Sequence, residues 1–371
     1  MRVAAETAAE GPVLIIGAGL LGASVGLGLR HLGVSTWLRD ASPTAEAIGA
    51  DIGAGSSERL ALAAGETIPE PSLIVVATPP DVVVETVAQA LAEHPQAIVT
   101  DVASVKSAIQ EGLRTRGADL RRYVGSHPMA GRERSGPVAA RGELFTTMPW
   151  VLCAAPETDP AAVKRVRSLA QDLGAHVTEL EADEHDAAVA LISHVPQVMS
   201  SLLASRLQDT PLHHLSLAGQ GLRDTTRIAA SDPGLWVQIL SANAGSIVPS
   251  LHGVREDLDR LISTLEDPTG PGARLDMAEL IAEGNAGQAR IPGKHGGAPK
   301  AFAQLTVLVD DKPGKLGELF SAVGETGINL EDLRLEHSLG RRVGLAEISV
   351  DPNRRDELVE ALEQRGWKVV Q

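Results

Sequence analysis

Residues 13–22, Val13-Leu14-Ile15-Ile16-Gly17-Ala18-Gly19-Leu20-Leu21-Gly22, decide the fold. Four apolar residues run straight into G-x-G-x-x-G, and an Ala/Gly/Leu-rich helical pattern follows to about His31. A second apolar stretch, Val34 to Leu38, ends at Arg39-Asp40. Strand, glycine turn, helix and strand make a βαβ unit. A lone G-x-G-x-x-G is weak. Here it opens a helix directly after a strand, and an acid stands 23 positions after its first glycine, as the dinucleotide fingerprint requires. Gly17 permits the tight turn, Gly19 lets backbone approach a pyrophosphate, and Gly22 lets helix and strand close up. Leu20 and Leu21 begin the helix, whose free N–H groups and positive dipole end suit phosphate. Asp40 can accept ribose hydroxyls and repels a 2′-phosphate, which favours NAD. Arg39 beside it keeps NADP open, and a purely structural glycine turn is the plainer alternative.

Working outward, 73–77 and 97–100 are continuous apolar runs, as strands covered on both faces require. They end in Thr78-Pro79-Pro80-Asp81 and Asp101-Val102-Ala103-Ser104. Residues 123–125 and 149–152 read as further strands. Residues 1–155 are therefore expected to form a doubly wound α/β (Rossmann) domain. From about 158 the pattern turns helical, with an apolar stripe at Leu191, Val195, Val198, Met199, Leu202 and Leu203. Residues 156–290 read as an all-helical second domain that also dimerises. Pro and Gly mark 291–300 as a linker. Residues 301–371 follow the order βαββαβ of a ferredoxin-like domain.

The chain has 371 residues, 33 Lys+Arg against 48 Asp+Glu, and a net charge of −15. So acidic a surface argues against nucleic acid as partner. Within 121–141, however, Arg121, Arg122, Arg132, Arg134 and Arg141 face only Glu133, so a local positive cleft is expected, joined by Arg223 and Arg227. One cysteine, Cys153, excludes an internal disulfide and reads as an inert core thiol. The first eleven residues carry no apolar block, and no run approaches a membrane span. A soluble protein of the reducing cytoplasm is the expectation, with no membrane and no metal.

Three segments carry chemistry. Gly125-Ser126-His127-Pro128-Met129-Ala130-Gly131 follows a strand, so His127 should lie at the carboxyl edge of the sheet, where ligands bind. A histidine there can be a general base or simply a turn residue. Ser104, in Asp101-Val102-Ala103-Ser104-Val105-Lys106, can orient a substrate hydroxyl together with His127, or cap a helix. Ser193-His194-Val195-Pro196 places a helix-breaking proline beside His194. Arg227 can grip a carboxylate in bidentate fashion, or pair internally with Asp183 or Asp186.

Taken together, Gly-Ser-His-Pro-Met-Ala-Gly, Asp-Val-Ala-Ser-Val-Lys, Ser-His-Val-Pro-Gln and Gly-Leu-Arg-Asp-Thr-Thr-Arg-Ile-Ala-Ala-Ser-Asp-Pro resemble prephenate dehydrogenases, a family that includes arogenate dehydrogenases. The likeness covers about 12–290. It implies NAD-dependent oxidative decarboxylation of prephenate to 4-hydroxyphenylpyruvate. His127 would take the proton of the ring C4 hydroxyl, and Ser104 would position that hydroxyl. Arg227 would bind a substrate carboxylate. His194 and Asp183 would line or gate the site, Trp236 would pack nearby, and Glu133 would guard the entrance. Thr78 and Pro79 fit the cofactor loop.

The tail, Val309-Asp-Asp-Lys-Pro-Gly-Lys-Leu-Gly-Glu and Gly327-Ile-Asn-Leu-Glu, resembles an ACT domain. That implies an aromatic amino-acid effector and a homodimer. Arogenate as substrate shares all this machinery. A 3-hydroxyacid dehydrogenase does not predict the Ser-His-Pro segment. A non-catalytic NAD/amino-acid sensor would have no need of His127, Ser104 and Arg227 together.

Overall fold

Every second residue of the first strand faces the same way, and both faces are buried. Val13 and Ile15 join one hydrophobic core, with Leu73, Val75, Val25 and Leu29. Leu14 and Ile16 join another, with Ile74, Val76, Val83 and Val87. Each fully buried aliphatic side chain contributes ~1.5–3 kcal/mol, and a strand covered on both sides collects that on every residue. This is the physical content of the unbroken apolar runs. The computed structural model describes residues 10–131, 136–292, 302–337 and 343–370.

The strands are β1 (Val13–Ile16), β2 (Thr36–Arg39), β3 (Ser56–Ser57), β4 (Leu73–Val76), β5 (Ile98–Asp101), β6 (Tyr123–Pro128), β7 (Pro149–Ala154) and β8 (His176–Glu179). They form one sheet in the order β3-β2-β1-β4-β5-β6-β7-β8. Neighbours from β3 to β6 are parallel; β7 runs antiparallel to β6 and parallel to β8. The order reverses between β1 and β4, and a ligand crevice opens at such a switch point.

The sheet departs from the sequence expectation in three places, the first being the two-residue edge strand β3, which no apolar run marks. His127 lies inside β6, paired with Val151, rather than beyond its end. The apolar run stops at Gly125, but β7 supplies backbone partners as far as Pro128. The sheet also takes an eighth strand, His176–Glu179, where a purely helical pattern was expected. Four residues at a mostly exposed edge carry too little burial to show in the pattern.

The compact unit containing this sheet comprises Met1–Arg206 and Thr226–Val254. Its helical part includes a helix from Ala182 to Ser205, interrupted by a π-helical turn at Ala190–His194. Pro196 follows at the start of the next segment. Proline offers no N–H and crowds the carbonyl four residues back, and a widened turn accommodates both effects. With a mean hydropathy of 1.5, this helix is long and apolar enough to cross a membrane by length and composition alone. Its buried face nonetheless carries His185, Asp186 and His194.

The second unit, Leu207–Thr225 with Arg255–Gln371, holds the helix Ala273–Gln288 and a four-stranded antiparallel sheet. The strands are β9 (Ala303–Asp310), β10 (Asp332–His337), β11 (Val343–Val350) and β12 (Lys368–Val370), in the order β10-β11-β9-β12. Helices Lys315–Gly324 and Arg355–Gln364 complete the order βαββαβ. Leu305, Val307 and Val309 alternate inward from β9 against Leu319, Val323, Leu358 and Leu362. Gly327 has φ +66°, as its turn requires.

Candidate active site

The register of β1 brings three segments together. Ile16 aligns with Arg39 on β2 and with Val76 on β4, so Gly17, Asp40 and Ala77-Thr78 share one edge. Gly17 sits at φ +106°, and a Cβ there would lie 2.5 Å from the Ala77 carbonyl oxygen. A Cβ on Gly22 would lie 1.9 Å from the Gly17 carbonyl oxygen, so the helix Leu20–His31 can meet the turn only without one. Nothing stands within 4 Å of where a Gly19 Cβ would be, so backbone is open to an incoming group. The helix start has no side-chain cap, and Leu20 and Leu21 remain partly exposed.

Asp40 closes the cradle. Its Oδ2 accepts the Ala18 N–H at 2.6 Å and its Oδ1 the Ser42 N–H at 2.7 Å. Spare lone pairs remain for ribose hydroxyls. Arg39 turns away from the cradle: it forms a fork with Glu58 at 2.5 and 2.9 Å and reaches Glu93 at 2.9 Å. A guanidinium held by two carboxylates is a poor receptor for a 2′-phosphate. Thr78 Oγ1 is buried without a hydrogen-bond partner, and Pro79 beside it is exposed. An orphaned hydroxyl at the switch point, an open glycine backbone and an uncapped helix start together fit a dinucleotide.

Next to this edge, β5 ends with Asp101 opposite Gly125, and β6 runs three residues further, to Pro128. Asp101 is buried and organises the turn after β5. It accepts Tyr123 OH at 2.6 Å and the Ala103 N–H at 2.9 Å, and pairs closely with the buried Lys106 ammonium. Lys106 Nζ also donates to the Ser126 carbonyl at 2.7 Å. Ser104 rides half-buried on this clamped turn. It is not a helix cap: the next helix, Ser107–Thr115, has Lys106 at its cap position and no side-chain bond from its own segment. Asp186 performs the capping from elsewhere, accepting the N–H of Lys106 and of Ser107 at 2.8 Å each.

His127 Nδ1 is 2.9 Å from His185 Nε2, and His185 Nδ1 is 2.8 Å from Asp186 Oδ1. The two rings meet edge-on, with centroids 5.1 Å apart. It is therefore His185, rather than Ser104, that holds the Nδ1 side of His127. Burial pushes the His127 pKa well below the ordinary histidine value; His185, Lys106 and His194 push the same way, and Asp186 opposes them. The imidazole is neutral at physiological pH, as a base must be. His194 is likewise pushed down to about 4, first by burial and then by His185, against Asp186. Its Nδ1 is 3.1 Å from Asn243 Nδ2, which also donates to the Asp186 carbonyl at 2.8 Å. Trp236 stands edge-on to His194 with ring centroids 6.0 Å apart. Burial alone would raise Asp186, but the bonds from His185 and the two amides outweigh it and hold the carboxyl below its usual range.

The remaining expected residues are more dispersed. Asp183 is exposed and accepts the Ser107 hydroxyl at 2.6 Å. Arg227 opens a short 3₁₀ turn, Arg227–Ala229, with an exposed side chain. Glu133, Arg132 and Arg134 lie outside the described residues. The expected arginine cluster is split. Arg122 precedes β6 and donates to the carbonyls of Leu91, His94 and Ala97, and Arg121 pairs with Asp119. Five residue steps along the strand, about 16 Å, separate Arg122 from His127. Cys153 is buried with its thiol pushed up to about 12 by burial, which makes it inert. Among the described residues no group of three His, Cys, Asp or Glu is placed to hold a metal.

Sequence reasoning missed His185 and Asn243 and saw Asp186 only as a partner for Arg227. A signal existed. Ala182, His185, Asp186, Val189 and Ala190 form the buried stripe of one helix, so a His-Asp pair stands where only apolar residues are expected.

A dinucleotide cradle beside a neutral, buried histidine defines a nicotinamide-dependent dehydrogenase, and NAD is the cofactor the cradle fits. The chain belongs to the prephenate dehydrogenase family. Residues 25–179 match the model described as prephenate dehydrogenase, nucleotide-binding domain, and residues 181–281 match the one described as prephenate dehydrogenase, dimerization domain. A Streptomyces niveus protein named probable prephenate dehydrogenase NovF is 36% identical, over 95% of this chain and 98% of its own. Prephenate dehydrogenase of Bacillus subtilis (strain 168) is 28% identical, over 94% and 95%. Among solved structures, prephenate dehydrogenase from A. aeolicus in complex with hydroxyphenyl propionate and NAD+ superposes with a TM-score of 0.65. It is 26% identical, over 75% of this chain and 97% of that one. Synechocystis arogenate dehydrogenase gives 0.59 at 29% identity, over 74% and 99%.

Proposed function

We propose that the chain catalyses the NAD-dependent oxidative decarboxylation of prephenate to 4-hydroxyphenylpyruvate. The observation that carries this reading is the neutral, buried His127 at the sheet edge next to the dinucleotide cradle. Bound NAD supplies the hydride acceptor. Gly17, Gly19 and Gly22 with the helix start at Leu20-Leu21 hold its pyrophosphate, Asp40 its ribose, and Thr78-Pro79 its nicotinamide side. His127 takes the proton of the ring C4 hydroxyl as the C4 hydrogen leaves with its bonding pair, as hydride. The C1–carboxylate bond breaks, CO₂ departs, and its electron pair completes the aromatic ring. The net equation leaves a phenol, so the proton taken is returned to that oxygen. Ser104 positions the hydroxyl and Arg227 grips a carboxylate. His194, Trp236 and Asp183 line the substrate side, with Glu133 at the entrance.

Arogenate is the second reading, supported by the likeness to the Synechocystis enzyme. It differs only in carrying an amino group where prephenate has a keto group. Steady-state NAD reduction with each substrate tests the choice. Prephenate is expected to give the higher kcat/KM; a tenfold preference for arogenate would reverse the assignment.

The match to a dimerization domain and the exposed Leu191, Ile192 and Leu202 on the helix Ala182–Ser205 support a homodimer. The βαββαβ order of the C-terminal sheet supports an ACT-type regulatory domain that takes an aromatic amino acid. Inhibition of the full-length enzyme by tyrosine is the expected sign. A reducing, cytoplasmic setting agrees with NAD chemistry and a single buried thiol.

A further inference from the structure

We propose that His185 and Asp186 are positioning residues that hold His127 in its Nδ1–H tautomer, leaving Nε2 as the bare atom that receives the substrate proton. The inference rests on the reading of His127 as base and adds the means by which the correct ring nitrogen is presented.

The polarity of the chain follows from which groups can donate. An ionised carboxylate only accepts. Asp186 Oδ1 takes the Lys106 N–H and faces His185 Nδ1, while Oδ2 takes the Ser107 N–H. His185 must therefore carry its proton on Nδ1. In the neutral ring its Nε2 is then an acceptor, and the 2.9 Å contact to His127 is closed by a proton on His127 Nδ1. The lone pair of His127 is left on Nε2.

The opposite polarity needs a cationic His185 that donates to His127 Nδ1, which moves the His127 proton to Nε2 and abolishes the base there. It would place a second cation in the buried cluster that already holds Lys106. From the turn after β5, the Lys106 ammonium already brings one positive charge, paired with Asp101; from the π turn, His194 adds a ring held neutral. Asp186, from the same helix as His185, is the carboxylate facing the pair, and its two backbone donors fix its orientation. Once His127 accepts a proton at Nε2, its Nδ1–H remains bonded through His185 to that carboxylate, so the new charge has a counter-charge one ring away. His185 never touches substrate in this scheme; it acts through His127.

The direct test is tautomer assignment by ¹⁵N NMR on histidine-labelled full-length enzyme with NAD bound. His127 should show Nδ1 protonated and Nε2 bare; the reverse assignment overturns the proposal whether or not any variant folds. Kinetics give the second arm. His185→Leu should lower kcat about 100-fold, within the range that a positioned base contributes, with KM for prephenate changed less than about threefold. His185→Gln, whose amide oxygen can replace the Nε2 acceptor, should recover at least about tenfold of that loss. Asp186→Asn keeps an oxygen for the Lys106 N–H and the His185 Nδ1–H, turns its NH2 toward Ser107 and removes the counter-charge, so it should retain the His127 Nδ1–H tautomer in the same NMR experiment while lowering kcat about 100-fold or more. A His185→Leu enzyme retaining more than about a third of wild-type kcat would overturn the proposal. His127→Asn separates the two readings. Retained turnover in that variant would remove the base assignment, whereas lost turnover with an unaffected His185→Leu would remove only the positioning role.

Discussion

Asp186 caps a helix that begins 79 residues before it in the chain: its Oδ2 accepts the Ser107 N–H at 2.8 Å. Its Oδ1 takes the Lys106 N–H and faces His185 Nδ1. One carboxylate thus ties the turn that carries Ser104 to the helix that orients His127. Asp186→Ala should strand two backbone donors and a ring nitrogen. At ~1.5–3 kcal/mol for each charge-assisted bond, the loss over these bonds is about 5–9 kcal/mol. For a unit of this size that is about 10–35 °C in Tm, read by circular dichroism on the full chain. A shift below about 2 °C would show that solvent replaces these bonds without cost.

The lowered histidine pKa values set the pH dependence of stability. Both His127 and His194 are buried neutral, so between the ordinary value of about 6.5 and the folded value the unfolded chain binds more protons. Stability from these groups is complete above pH 6.5. It falls as the pH drops, continuing to about 4 for His194. Asp186 is lowered as well and adds to the same trend further down: its contribution is complete above the ordinary aspartate value of about 3.9 and is lost as pH falls through its lower folded value. Tm measured from pH 8 to 4 should therefore be flat at first and decline below 6.5. A His194→Asn variant should show a shallower decline.

His127→Asn should reduce turnover about 1,000-fold while NAD affinity, measured by fluorescence titration, stays within about threefold. The cradle is formed by β1, β2 and β4, to which His127 contributes nothing. Comparable turnover in the variant would mean that another group takes the proton.

NAD should be preferred over NADP by at least about 100-fold in kcat/KM, because a 2′-phosphate would meet the Asp40 charge while Arg39 stays held by Glu58 and Glu93. Asp40→Asn should narrow that ratio, chiefly by improving NADP. If the ratio is unchanged, the ribose is read by some other residue.

Much of this molecule was legible as sequence. The run from Val13 to Gly22 with Asp40 specified the cradle, because a strand, a turn needing positive φ and a helix start are all local and each has a residue signature. The C-terminal order βαββαβ was legible for the same reason, with alternation and helical period changing cleanly between elements. Local pattern was weaker where pairing decides structure: β6 runs on through His127 only because β7 lies alongside.

The sequence by itself determined the glycine cradle, the strand-bearing regions and which residue types are capable of the chemistry, since those depend on backbone preference and short-range periodicity. Only the tertiary structure decided which groups act on one another. His185 and Asp186 lie 58 and 59 positions after His127, and Asn243 lies 49 after His194. Hydrogen-bond polarity and burial at that distance arise from packing, and packing is where a histidine that could equally have been a surface turn residue becomes a neutral ring held by one nitrogen.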